Sequence, residues 1–201
     1  MAKVTVAGFT VSLDGYGAGP IQTREDPLGR GGMSLHRWLF EGDETDQRFA
    51  KRILDGAGAY IMGRNMFGPV RGEWGESDWR GWWGEEPPYR APVFVLTHHP
   101  HPPIEMAGGT VFHFVTDGIE AALEQARAAA GHRDVRIAGG ASAVRQYLQA
   151  GLVDEMYLAF APVLLGAGEE LLPGIDLTAM GFSIREQVAT PLARHVVLTR
   201  A

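Results

Sequence analysis

The chain alternates between short runs of apolar residues and longer segments in which apolar residues recur every three or four positions. The short runs predict buried strands, and the longer segments predict amphipathic helices. The predicted strands span residues 4–13, 59–62, 93–97, 110–115, 135–138, 156–161, 182–187 and 195–199. A short helix is predicted around Trp38, and longer ones over residues 45–54, 117–130 and 142–150. This alternation predicts an α/β fold: a central, mostly parallel sheet with an antiparallel C-terminal edge and helices on both faces.

Local signals refine the helix boundaries. Asp117 opens a sequence that resembles a capping box, and Ser142 is a candidate N-cap of the following helix. In the helix over residues 45–54, we expect Phe49, Ile53 and Leu54 to face the core. No repeat or linker divides the chain, so a single domain is predicted over residues 1–201.

Two long segments, 14–32 and 68–91, lack either periodicity and are predicted to be loops. Loops of this length in a compact domain are usually functional or disordered. The second segment is rich in tryptophan, which allows two interpretations. Its aromatic rings could stack on a flat heterocycle, or they could anchor a partner subunit, since tryptophan is enriched in interfaces. The residues are Trp74, Trp79, Trp82 and Trp83.

Composition and charge narrow the function classes. The formal net charge is −6, and the 18 Lys and Arg residues are scattered, which argues against a nucleic-acid surface. There is no cysteine, so disulfides and thiol nucleophiles are excluded, and redox chemistry would require a bound cofactor. No apolar run reaches the roughly 18 residues of a membrane span, and a cytoplasmic protein without membrane contact is expected. The sequence from His98 to His101 favours a surface loop over a metal site, because its prolines prevent a regular ligand face.

Glycine follows two of the predicted strands directly. The first turn is Gly63-Arg64, and the second is Gly139-Gly140, which precedes Ser142 and a helix. The N–H groups at a helix N-terminus attract phosphate, and arginine can grip a phosphate with two hydrogen bonds. Taken singly, the second turn could equally be a tight strand-to-helix connection, and Arg64 a surface charge. Both turns nevertheless lie at the carboxyl edge of a parallel sheet, where ligands bind in such folds.

The chain resembles the dihydrofolate reductase superfold, and specifically the RibD C-terminal domain family, the reductase domain of riboflavin-biosynthesis deaminase-reductases. The resemblance rests on an ordered set of short motifs: residues 12–15 (SLDG), 61–64 (IMGR), 95–97 (VLT), 138–141 (AGGA), 152–155 (LVDE) and 162–166 (PVLLG). It implies a dihydrofolate-reductase-like fold and NADPH as the cofactor.

The same resemblance implies roles for individual residues. The adenosine-side phosphates would be held by Arg64, Asn65 and Met66, after Gly63, with Arg64 favouring the 2′-phosphate. The adenine end would be lined by Thr97 and His98. The pyrophosphate would lie on Gly139, Gly140, Ala141, Ser142 and Ala143, and the nicotinamide would be bordered by Thr10, Val11, Gly17 and Ala18. The loop over residues 14–32 would form a mobile cover that excludes water.

The sequence departs from true dihydrofolate reductases at the substrate. The position of their pterin-binding carboxylate falls near Ser34 or Leu35, and that of a pterin-binding threonine falls near Ala159. A site without these hydrogen-bonding partners rejects a substrate that needs them, so folate reduction is not expected. Asp14, His36 and a trapped water remain the candidate proton donors.

These observations predict an NADPH-dependent reductase, similar to 5-amino-6-(5-phosphoribosylamino)uracil reductases or dihydrofolate reductases. Its substrate is expected to be a small heterocycle, pyrimidine- or pterin-like, or a carbonyl or imine compound. Two alternatives remain: an NADP-binding sensor or partner module without catalysis, and a flavin-dependent reductase that uses the same groove. Family resemblance also favours a homodimer.

Overall fold

A computed structural model describes residues 2–69, 71–75 and 78–201, which include nine strands of one sheet. The strands are β1 Val4–Ser12, β2 Ala57–Gly63, β3 Pro92–Leu96, β4 Ile104–Glu105, β5 Val111–Val115, β6 Asp134–Gly139, β7 Glu155–Ala161, β8 Phe182–Ala189 and β9 Arg194–Arg200. The helices are α1 Arg37–Glu41, α2 Glu44–Lys51, α3 Arg64–Phe67, α4 Gly118–Ala130 and α5 Ala141–Gln149, and a 3-10 turn at Gly32–His36 precedes α1. Within the described ranges, no helix is long and apolar enough to cross a membrane.

The strand order is β4-β5-β3-β2-β6-β1-β7-β9-β8. The five pairings from β5 to β7 are parallel, and β9 and β8 close the C-terminal edge in antiparallel orientation, which confirms the predicted fold class. At the opposite edge, β4 adds a short antiparallel pairing to β5. The sequence analysis missed β4 because two residues are too few to show a periodicity.

The two faces of the sheet are covered differently. On one face, α4 and α5 pack over a continuous apolar cluster that includes Ile61, Ile137 and Tyr147. On the other face, the tryptophan-rich segment covers β2, β3 and β5, whereas α1 and α2 cover β7 and β9. These two apolar clusters are separate, and the strip of β6 and β1 between them is the floor of a groove.

Three local predictions were wrong. Asp117 is the N-cap residue of α4 but its side chain makes no capping hydrogen bond, and α5 begins after Gly140, so that Ser142 lies within the helix. The capping box is instead in α2, where Asp43 and Asp46 bond each other's backbone. Leu54 lies beyond the end of α2 and is 38% exposed. Residue type and helical spacing indicate a helix end only to within a few positions, and they do not show whether a side chain at that end reaches the backbone.

A buried polar network connects α2 to the sheet. The Nε2 of His195 lies 2.7 Å from Oδ1 of Asp46, and its Nδ1 lies 2.8 Å from the hydroxyl of Tyr157. Thr190 donates a further hydrogen bond of 2.9 Å to the same Asp46 oxygen. Phe49 stacks on the imidazole ring with the centroids 4.3 Å apart. The network therefore supplies partners for polar groups that the apolar core would otherwise leave unpaired.

We expect the protein to lose stability as the pH falls below about 6.5. Burial lowers the pKa values of His195 and His36 below the ordinary value of 6.5, so the unfolded chain binds protons more readily than the folded one in this range. The free energy of unfolding then decreases with falling pH, by at most about 1.4 kcal/mol per pH unit for each histidine. Urea denaturation between pH 8 and 5 measures this slope. His195→Gln should reduce the slope, whereas the exposed His132→Gln should leave it unchanged; an unchanged slope in both would contradict the explanation.

Candidate functional site

One groove of about 1050 Å³ runs across the carboxyl ends of the parallel strands. The turns after β2, β3 and β6 all open into it, because neighbouring parallel strands end at the same edge of a sheet. Every residue of the predicted cofactor set lines this groove except one. The lining members are Thr10, Gly17, Ala18, Gly63, Arg64, Asn65, Met66, Thr97, His98, Gly139, Gly140, Ala141, Ser142 and Ala143.

The exception is Val11. Its side chain is 2% exposed and packs in the apolar cluster beneath α4 and α5, on the side of the sheet away from the groove. The alternation of side chains along a strand accounts for this position, since Thr10 faces the groove and the next residue faces the opposite side. Thr10 is fixed by a 3.1 Å hydrogen bond that its hydroxyl accepts from the Trp38 indole.

The turn Gly139-Gly140 requires glycine at its first position. Gly139 has a φ of 134°, and a Cβ there would lie 3.1 Å from Sδ of Met66 and 3.2 Å from the ring of Phe9. The peptide bond between the two glycines is cis. A Cβ on Gly140 would meet nothing within 4 Å, so this residue borders open space. Gly140 provides no side-chain cap to α5, which leaves the first N–H groups of the helix available to a ligand.

Arg64 begins α3 and is only 8% exposed. Its guanidinium stacks on Trp74, with 3.6 Å from Cζ to the ring centroid, and its Nη1 lies 3.4 Å from the hydroxyl of Thr97. Its Nε and Nη2 are buried and have no hydrogen-bond partner among the described residues. Burial, followed by the charge of Arg71, lowers the pKa of Arg64. The edge formed by Nε and Nη2 is one of the two edges with which arginine makes bidentate contact with phosphate.

The turn after β3 is held together by Thr97. Its hydroxyl accepts a 3.1 Å hydrogen bond from the amide of His99 and lies 3.2 Å from that residue's carbonyl. His98 is exposed at the groove, whereas His99 lies 3.0 Å from Glu73. His101 packs against Trp74 at a centroid distance of 4.8 Å. The histidines of this segment thus connect it to the tryptophan-rich segment.

Asp14, a predicted catalytic residue, does not line the groove. Its carboxylate accepts hydrogen bonds from the hydroxyl of Ser12 and the amides of Leu165 and Gly166, at 2.5 to 3.2 Å. The Ser12 bond, together with these amides and against desolvation, lowers the pKa of Asp14, so the group stays ionised near neutral pH. We therefore correct its predicted role: Asp14 joins two loops and is not placed to donate a proton.

His36, the second candidate, does line the groove. Its Nδ1 is buried and has no hydrogen-bond partner among the described residues. Burial lowers the pKa of His36, an effect that the Gly32 backbone opposes, so the imidazole is neutral at pH 7. A neutral imidazole can hydrogen-bond a ligand atom, but it is a poor source of a net proton.

The tryptophans contribute to the site in different ways. Trp82 and Trp83 line the groove, Trp74 stacks on Arg64, and Trp79 donates a 3.0 Å hydrogen bond to the carbonyl of Phe67. All four are at least half-buried within their own chain. This arrangement favours the interpretation in which the segment builds a ligand site.

The sequence analysis missed another wall of the groove, which consists of Leu39, Phe40, Ile53 and Leu54, and also missed Arg136 on the floor. The sequence does not identify these residues as a wall of the groove, because apolar residues have the same helical spacing whether they line a core or a groove. Arg136 did give a signal, since a charged residue interrupts the apolar strand β6.

A family model described as the RibD C-terminal domain matches residues 2–198. The chain belongs to the RibD C-terminal domain family. No curated protein matches this member of the family.

Solved structures share the fold of this RibD C-terminal domain. A protein from Shewanella sp. PV-4, provisionally named as a riboflavin biosynthesis protein, has a TM-score of 0.63 and 22% identity, with 100% of this chain and 99% of that chain covered. Dihydrofolate reductase from Enterococcus faecalis, complexed with NADP(H) and RAB-propyl, has a TM-score of 0.58 and 15% identity, with 98% and 96% covered.

A third structure is a bifunctional diaminohydroxyphosphoribosylaminopyrimidine deaminase/5-amino-6-(5-phosphoribosylamino)uracil reductase from Thermotoga maritima. Its TM-score is 0.60 and its identity 14%; the match covers all of this chain and 57% of that one. At such identities, the likeness establishes the fold of this RibD C-terminal domain and not its substrate.

The positions at which the sequence departs from dihydrofolate reductases lie outside the groove. Leu35 and Ala159 are fully buried, and the hydroxyl of Ser34 donates a 2.5 Å hydrogen bond to the carbonyl of Gly31. Among the described residues that line the groove, Glu169 has the sole carboxylate. This RibD C-terminal domain therefore offers a pterin no buried acid of its own in the described part of the groove.

Proposed function

We propose that the chain is an NADPH-dependent reductase that adds a hydride and a proton across a C=N or C=O bond of a small heterocyclic, carbonyl or imine substrate. The observation that carries the proposal is the convergence of Gly63-Arg64 and Gly139-Gly140 on one groove. Membership of the RibD C-terminal domain family supports the same conclusion.

The residues present fit a dinucleotide that carries an extra phosphate. The unpaired edge of Arg64 suits a phosphate, Gly140 borders open space, and the first N–H groups of α5 have no side-chain cap. Residues 139–143 would hold the pyrophosphate, and Arg64, with Asn65 and Met66, the phosphates on the adenosine side. Thr97 and His98 would line the adenine end, and Thr10, Gly17 and Ala18 the nicotinamide. When bound, NADPH supplies the hydride, and NADP⁺ is the product.

The chain itself supplies orientation and a dry environment. Leu28 and Pro27, from the loop over residues 14–32, line the groove and cover part of it; the mobility of this loop stays a prediction. His36 would hydrogen-bond a substrate atom through Nδ1, while the net proton would come from a trapped water molecule. Because His36 is neutral above its lowered pKa, we assign it a positioning role and not that of a strong acid.

Separate titrations with NADPH, NADH and FMN, followed by tryptophan fluorescence and thermal shift, test the proposal. Tight binding of NADPH, together with its oxidation in the presence of a heterocycle, imine or quinone, is the expected result. Binding without turnover of any substrate would favour an NADP-binding module, binding of FMN alone would favour a flavin-dependent reductase, and no response to NADPH would overturn the assignment.

Gly140→Val should weaken NADPH binding at least about ten-fold and leave the fold intact. The Cβ of the new side chain would meet no protein atom within 4 Å, and the side chain would occupy the place proposed for the pyrophosphate. Calorimetric titration measures the affinity, and circular dichroism checks the fold. Ala150→Val, at the exposed opposite end of α5, is the matched control. Wild-type affinity in Gly140→Val would show that the pyrophosphate lies elsewhere.

A further inference from the structure

The groove continues along the sheet beyond the glycine turns. Tyr60 and Arg136 line its floor, and each precedes the glycine that ends its own strand by three residues. At about 3.3 Å per residue, this part lies roughly 10 Å from the proposed phosphate site. We call it the inner end of the groove.

Apolar and aromatic side chains form the walls of the inner end. Phe40, Ile53 and Leu54 belong to α1 and to the residues that follow α2, and Trp82, Trp83 and Tyr89 belong to the tryptophan-rich segment. These two parts of the chain cover different strands of the sheet. Phe40 and Leu54 are 75% and 38% exposed, so both present apolar surface to the solvent. Exposed apolar surface of this kind, together with aromatic rings, is typical of a site that buries an apolar ligand.

In the described part of the chain, the groove contains few cationic side chains, and none is free at the inner end. Among its described lining residues these are Arg64, Arg71 and Arg136. Arg64 belongs to the glycine turn, and Arg71 donates hydrogen bonds to the carbonyl of Gly68 and the side chain of Gln22, at 2.8 and 3.2 Å. Of the residues outside the described ranges (1, 70, 76 and 77), none has a cationic side chain.

Arg136 alone reaches the inner end, and its donors face the end of α2. Its Nη1 donates to the carbonyls of Arg52 and Ile53, its Nη2 to the carbonyl of Asp55 at 3.0 Å, and its Nε to the hydroxyl of Thr5 at 3.4 Å. The residue is 7% exposed. To pair with a phosphate or carboxylate at the inner end, Arg136 would have to break its hydrogen bonds to the carbonyl groups that follow the C-terminus of α2. These carbonyl groups would then be left without a donor.

We propose that the inner end binds an uncharged, planar ring compound that carries neither phosphate nor carboxylate, such as a neutral aromatic heterocycle or a quinone. The walls suit stacking and apolar burial, whereas an anionic group would be desolvated there without a free cation. The assignment of this compound as the substrate rests on the proposed function; its binding does not.

Quinoxaline and quinoxaline-2-carboxylate are matched probes, because they have the same planar bicyclic ring system and differ only by a carboxylate. Calorimetry and tryptophan fluorescence, with and without saturating NADPH, should show quinoxaline binding at least about ten-fold more tightly. Equal or tighter binding of the carboxylate, or no binding of quinoxaline to protein that binds NADPH, would overturn the inference. Selective binding of quinoxaline by protein that does not bind NADPH would support the ring site and refute the proposed reductase.

A variant with an added cation tests whether the ring compound binds at the inner end. Leu54→Arg should increase the affinity for quinoxaline-2-carboxylate at least about ten-fold by adding a free cation to the wall. Ile184→Arg, on the exposed face of β8 and outside the groove, is the matched control and should leave both affinities unchanged. If Leu54→Arg fails to fold, Phe40→Arg provides the same test at a more exposed position. An unchanged carboxylate affinity in a folded variant would show that the ring does not lie between these walls.

Discussion

Arg64→Ala is expected to weaken NADPH binding by about ten- to a hundred-fold and NADH binding much less. The physical reason is the loss of a bidentate, charge-assisted contact with the 2′-phosphate, which NADH lacks; hydrogen bonds to charged groups contribute about 1.5–3 kcal/mol. The edge that would make this contact is unpaired among the described residues. Calorimetric titration of both cofactors against both proteins measures the difference.

Two further variants distinguish the loss of the phosphate contact from the loss of the packing of Arg64 on Trp74. Arg64→Met retains an aliphatic stem beneath Trp74 and should show the same loss for NADPH, whereas Arg37→Ala removes an exposed arginine that lies outside the groove and should show none. Equal losses for NADPH and NADH in Arg64→Ala would refute the contact with the 2′-phosphate, although they would leave a role in dinucleotide binding.

Asp46→Ala is expected to lower the free energy of unfolding by about 2 to 4 kcal/mol. The substitution would leave Nε2 of His195 without its acceptor in the core and would remove one of the two acceptors of the Thr190 hydroxyl. It would also remove one half of the capping box of α2. The buried Nε2 of His195 would then keep its desolvation cost without a partner, whereas the half-buried Thr190 hydroxyl would still have the carbonyl of Ala193 at 3.1 Å. Urea denaturation measures the change, and it is carried out at pH 8 because the histidines do not titrate there.

Asp117→Ala is the control, because Asp117 is also an aspartate at the start of a helix but makes no capping hydrogen bond. We expect its effect on unfolding to stay within about 0.5 kcal/mol. A similarly small effect of Asp46→Ala would mean that the core accommodates unpaired His195, for instance by admitting water.

The strands and the longer helices could be predicted from the sequence because each follows from local chemistry. β2 is buried on both faces and therefore consists almost entirely of apolar residues, whereas α4 is buried on one face and therefore has apolar residues at helical spacing. Helix starts were less predictable, because Asp117 and Ser142 have the residue types of an N-cap whether or not their side chains reach the backbone. The two-residue strand β4 was not predictable on this basis.

The cofactor half of the site was also accessible from the sequence, because glycine after a strand and an arginine beside it are local features whose position at a sheet edge follows from the parallel topology. Val11 and Asp14 show the limit of this reasoning. Their closeness in sequence to Thr10 says nothing about the direction of a side chain, and the structure turns Val11 into the core and Asp14 towards another loop.

The fold class and the turns that converge at one edge of the sheet followed from the sequence, since they depend on the period of apolar residues and on glycine at fixed positions. The family followed from the resemblance of its ordered short motifs. The set of side chains that line the groove together followed only from the folded structure, because they come from distant segments of the chain. Leu54 and Trp83 are 29 positions apart in the chain, and Arg136 receives its partners from the end of α2. Contacts between distant segments produce no periodic pattern in the sequence. These contacts make the inner end apolar and occupy the hydrogen-bond donors of Arg136.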